Sequence, residues 1–138
     1  MAQIKDVAYQ DLRKYIQNNW KYIALQNENG TEVIRLSPTD NRVQWIHDVT
    51  TGEPEYDDYD NPIPGTGTTI ITTNILKLQI VLSGSDSEIN NGTTVAQTAI
   101  YNVAVGGEPF TQEVFEPFTF GSDQDKLTVV HEILVPTL

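Results

Sequence analysis

Residues 69–82 read TIITTNILKLQIVL, and from Leu76 onward the alternation is strict. Leu76, Leu78, Ile80 and Leu82 fall on one side of an extended chain, and Lys77, Gln79 and Val81 on the other. A period of two predicts a β-strand with one dry face and one wetter face. The pattern recurs along the chain, and no catalytic signature accompanies it.

Turn chemistry divides the rest. Trp20–Leu25 and Thr31–Leu36 read as two strands, and Asn29-Gly30 between them supplies the positive-φ residues of a tight hairpin. Pro38 and Asp40-Asn41 precede a third strand, Arg42–His47, with Val43, Trp45 and His47 on one side. Further on, Val95, Ala99, Tyr101, Val103 and Val105 share a face, and Gly106-Gly107 with Glu108-Pro109 makes the next turn. Phe115, Phe118 and Phe120 belong to a strand that Pro117 restricts to an edge or interrupts. Leu127–Val135 is the last strand, stopped by Pro136.

One convincing helix precedes these strands. Asp6 is its expected N-cap, Ala8, Leu12, Tyr15 and Ile16 recur at helical spacing, and Asn18-Asn19 marks its end. The expected organisation is a helix over residues 1–19 and a single β domain over residues 20–138. About seven strands joined by short turns favour an antiparallel β-sandwich or flattened barrel, and no crossover helices are present for a parallel sheet.

Residues 50–67 break the pattern. Three prolines and three glycines lie in and around the acidic run EPEYDDYD at 53–60. Proline denies the backbone donors that a ladder needs, so a long exposed acidic loop is expected here.

The 138 residues suffice for one core, and there is no cysteine to supply disulfides, thiolate nucleophiles or cysteine metal sites. A formal charge of −11 disfavours nucleic acid and anionic membrane surfaces as partners. No segment approaches the roughly 20 apolar residues of a membrane helix. The first residues, MAQIKD, lack the pattern of a secretory signal peptide, and a cysteine-free chain suits a reducing cytosol.

Chemistry is hard to place. His47 and His131 are the only histidines, each lies in an expected strand, and their spacing completes no zinc site. No Gly-x-Ser-x-Gly elbow or phosphate-binding glycine loop is present. The carboxylates crowd polar loops, where nothing desolvates one of them into a general acid. The expectation is a protein that is not an enzyme. Calcium, which takes six to eight loop oxygens, is the better carboxylate reading, with Asp57, Asp58, Asp60, Asp123 and Asp125 as its candidates; no EF-hand register is present. Tyr56 and Tyr59, set among the acids, suit contact with a protein partner or with a carbohydrate or host surface. The helix stripe with Leu12, Tyr15 and Ile16 either docks a partner or covers an open end of the sandwich.

Two segments, LKLQIVLSGSD at 76–86 and FTFGSDQDKLTV at 118–129, together with the leading helix, resemble virion structural proteins of tailed bacteriophages. The resemblance implies a non-enzymatic component of head, neck, tail or baseplate. Such a protein assembles in the host cytoplasm into the virion, with other virion proteins and further copies of itself as partners. A carbohydrate- or host-surface-binding module is the alternative.

Overall fold

Alternating segments became strands wherever a second apolar layer covers them. The computed structural model describes residues 1–51, 53–64, 69–71 and 73–135. Helix α1 (Asp6–Asn19) is followed by β1 (Tyr22–Gln26), β2 (Glu32–Leu36), β3 (Val43–Trp45), β4 (Thr50–Thr51) and β5 (Thr69–Ile70). The longer strands β6 (Ile75–Ser83), β7 (Thr94–Tyr101), β8 (Thr111–Thr119) and β9 (Lys126–Leu134) complete the chain. The expected stop at Pro136 and residues 52 and 65–67 of the expected loop lie outside the described residues.

All strand pairs are antiparallel. One sheet runs β2-β1-β7-β8 and the other β3-β6-β9, with β4-β5 as a separate two-stranded ribbon. The two sheets stay separate, so the molecule is a sandwich and not a closed barrel. Their inner faces meet in one core: Ile23, Leu25, Ile34, Leu36 and Ile100 against Leu76, Leu78, Ile80, Leu82 and Ile133. Each such side chain contributes roughly 1.5–3 kcal/mol by leaving water. At the seam between the edge strands, the Glu113 carboxylate accepts the Glu132 backbone N–H at 2.8 Å and so ties β8 to β9.

Turn backbones fit tightly where glycine permits it. Gly30 takes φ +79° in the β1–β2 turn, while Asn29 keeps a negative φ. The expected pair of positive-φ residues is thus a single one, because Asn27 Oδ1 accepts the N–H groups of Asn29 and Thr31 and closes the turn by itself. Gly84 donates its N–H to Asp125 O at 2.7 Å, which presses the β6–β7 turn onto the β8–β9 turn.

Four expectations need correction. Lys5, and not Asp6, is the N-cap, and it makes no side-chain cap bond; Asp6 instead accepts Gln10 Nε2 at 3.0 Å. The buried helix face is Tyr9, Arg13 and Ile16, whereas Leu12 and Tyr15 are exposed. Arg13 turns inward because its stem packs while Nη1 donates to Ile71 O at 3.0 Å. The third strand ends at Trp45, so His47 lies beyond it. Finally, the β7–β8 register shifts between Val95 and Gln97. Val95 therefore joins the inner core while Ala99 and Tyr101 pack on the outer face, and Val103 and Val105 lie past the strand.

Candidate functional site

Both histidines serve the fold. His131, on the inner face of β9, reaches across the sandwich to the opposite sheet. Its Nδ1 lies 2.6 Å from Thr98 Oγ1 and its Nε2 lies 2.7 Å from Thr111 Oγ1. One ring nitrogen donates to a hydroxyl and the other accepts from one, so the neutral ring is fully satisfied. Burial pushes its pKa down to about 4, which keeps it neutral at physiological pH. At 1% exposure the ring is closed to any substrate.

His47 locks the helix to the sandwich. Its Nδ1 accepts the Lys77 backbone N–H at 3.1 Å, so Nε2 carries the proton and donates to Gln17 Oε1 at 2.6 Å. Trp45 packs edge-on at 5.4 Å, and burial holds the His47 pKa below its ordinary value.

The carboxylates are turn-builders. Asp57 Oδ1 accepts the N–H groups of Tyr59 and Asn61, and Tyr56 pairs with Pro62, so residues 55–63 form a compact hairpin where the sequence suggested an aperiodic loop. Asp125 Oδ2 similarly accepts Gly121 and Ser122 N–H. Asp58, Asp60 and Asp123 are exposed. Among the described residues, no three His, Cys, Asp or Glu side chains converge on a point that could hold a metal ion. Arg42 is the centre of a different cluster, pairing with Asp40 at 2.8 Å, Glu88 at 3.1 Å and Asp86 at 3.3 Å. Its guanidinium holds the Asp40 and Glu88 carboxyls below their usual range.

The surface is strongly two-ended. α1 leads into β1, and Arg13, Gln17 and Trp20 tie it to Ile71, His47 and Phe110. The starts of β1, β6 and β8 and the ends of β3, β7 and β9 therefore share the helix end of the sandwich. Every exposed large apolar side chain among the described residues lies on α1 or the residues preceding it, in the connections that leave this end, or on the near halves of β8 and β9. They include Ile4, Val7, Leu12 and Tyr15 of the helical segment, Ile46, Val49, Tyr56 and Tyr59 of the β3–β6 connection, and Val105 and Phe110 after β7. The opposite end, built from the β1–β2, β6–β7 and β8–β9 turns, exposes none among the described residues.

Of the partner-contact candidates, Leu12, Tyr15, Tyr56 and Tyr59 are exposed, Tyr59 at 86%; the first two lie on α1 and the two tyrosines of the hairpin in the connection that leaves this end. Ile16 is 3% exposed and belongs to the core, because the helix is rotated from the face read in its sequence. Arg35 was missed by the sequence reading. Its guanidinium stacks 3.6 Å over the Tyr101 ring and its Nη1 donates to the carbonyls of Val103 and Gly106, which fixes the loop that presents Val105. Gly106-Gly107 signalled a turn there, but nothing local signals an arginine from β2.

No helix among the described residues is long and apolar enough to cross a membrane. Compared with family models, curated proteins and solved structures, the chain matches none.

Proposed function

We propose that this chain is a non-enzymatic structural subunit, a component of a tailed-phage virion in the head, neck, tail or baseplate, that acts through protein–protein contacts. The observation that carries this reading is the gathering of exposed apolar side chains at one end of the sandwich. Scattered single apolar residues are ordinary on any surface, but a concentration on one face marks an interaction site. Both histidines are committed to structural hydrogen bonds, which adds support.

The test is mass spectrometry of density-purified particles of the virus that encodes the chain. A structural subunit is present in a fixed ratio to the major capsid or tail protein. Recovery only from the particle-free fraction of infected cells contradicts the proposal.

A second reading draws on the pre-set 55–63 hairpin, which offers Tyr56 and Tyr59 as rigid aromatic platforms for a glycan. It predicts glycan-array binding that disappears with Tyr59→Ala.

A further inference from the structure

We infer that the occupant of the helix end is a second copy of the chain, in a two-fold dimer. In that dimer the outward face of α1 packs on the partner's 55–63 hairpin, and the partner's helix packs on the first copy's hairpin. The inference rests on the proposed role as an assembly subunit and names the contact.

Charge selects this arrangement. Residues 1–21 carry four basic side chains (Lys5, Arg13, Lys14, Lys21) and two acidic ones, Arg13 alone of the four being buried, whereas residues 22–138 carry four basic and seventeen acidic. Half of the chain's cations therefore lie in a short segment that is the exception to an acidic molecule. At 3.6 residues per turn, Lys14 flanks the Val7 side of the exposed stripe and Lys5 flanks the Leu12 side. Asp11 lies within the stripe, three residues from Lys14 on the same face. The hairpin segment offers the complement: Glu53, Glu55, Asp57, Asp58 and Asp60 around Tyr56 and Tyr59, with no basic residue in 53–60.

Within one chain the two surfaces do not cover each other, since Leu12, Tyr15, Tyr56 and Tyr59 all stay exposed. The helix enters the sandwich at the end from which the hairpin's connection leaves, so one two-fold axis can bury each surface against the other twice. In a contact of this kind residue i meets j while j meets i. Hairpin on hairpin would bring two strongly acidic segments together, and helix on helix would leave both hairpins uncovered. Opposed charges also discriminate against wrong pairings, because like-charge juxtaposition is costly.

Charge reversal in the full chain tests this directly, with sedimentation equilibrium at low and high salt as the readout. All four positions are exposed, and thermal melting by circular dichroism confirms that each variant is folded. The wild-type chain forms a dimer that weakens as salt rises. Lys5→Glu/Lys14→Glu and Glu53→Lys/Asp58→Lys each weaken self-association at least tenfold. Mixed, the two variants form a 1:1 heterodimer, because the reversed helix of one meets the reversed hairpin of the other at one contact, while an unaltered helix meets an unaltered hairpin at the second. A chain that is monomeric at all concentrations, a dimer indifferent to either reversal, or open-ended polymers in place of dimers would overturn the inference. An indifferent dimer found in purified particles leaves the assembly role standing while this contact fails. A charge-dependent dimer absent from particles does the reverse.

Discussion

His131 Nδ1 sits 2.6 Å from Thr98 Oγ1, a side-chain hydrogen bond that crosses the interior from one sheet to the other. A neutral imidazole serves this position and a charged one is penalised by burial. The ordinary histidine pKa of 6.5 falls to about 4 in the folded protein, so between these values the unfolded chain binds a proton that the folded chain refuses. Stability is therefore fully present above about pH 6.5 and declines as pH falls toward 4, by on the order of 3 kcal/mol for this residue. His47, also lowered by burial, adds to the loss in the same direction. Urea unfolding at pH 7, 5.5 and 4.5 measures the slope, and His131→Asn flattens it while leaving the smaller His47 contribution. An unchanged slope in His131→Asn contradicts the assignment.

The His47 bridge predicts local loosening. His47→Ala removes the acceptor of the Lys77 N–H and the donor to Gln17, at a cost of about 1–3 kcal/mol. Hydrogen exchange is expected to quicken across α1 while the β6–β9 amides keep most of their protection. Gln17→Ala loosens the helix in the same way, at smaller cost.

Much of this architecture was legible. Strict alternation in residues 76–82 gave the central strand its face, and the apolar runs on either side of Asn29-Gly30 gave the first hairpin. The helix phase was not legible, because the pattern of apolar residues treats Arg13 as solvated. In the fold, its stem covers core and its guanidinium finds the Ile71 carbonyl. The face of β7 was lost for a different reason, since a register shift between Val95 and Gln97 reverses the alternation without leaving any mark in composition. The candidate surface was half visible. Tyr56 and Tyr59 stand out among acids, but the gathering of Val7, Ile46, Val105 and Phe110 at the same end depends on strand directions that one sequence does not display.

Two glycines should behave differently. A Cβ at Gly84 would overlap the Ser122 backbone carbonyl, so Gly84→Ala forces two turns apart. The expected loss is about 1–3 kcal/mol in chemical denaturation. Gly92 has φ +89° and open space around it. Gly92→Ala therefore carries only the conformational penalty, about 1 kcal/mol. Equal losses would mean that the turn-to-turn contact contributes little.

Arg35→Ala should release the loop between β7 and β8. It removes the stacking on Tyr101 and the bonds to Val103 O and Gly106 O. The expected effect is about 1–3 kcal/mol of stability and new proteolytic cleavage near Val105. Lysine does not rescue, because a point charge replaces a planar fork.

The central claim is that the helix end is the working surface. Its most direct measurement is particle incorporation of two folded double variants, Leu12→Asp/Tyr15→Asp at the helix end and Glu28→Lys/Asn91→Lys at the opposite end. The account predicts that the helix-end variant is lost from purified particles while the opposite-end variant is retained at the wild-type ratio. Full incorporation of the helix-end variant, or loss of the opposite-end variant alone, would contradict it.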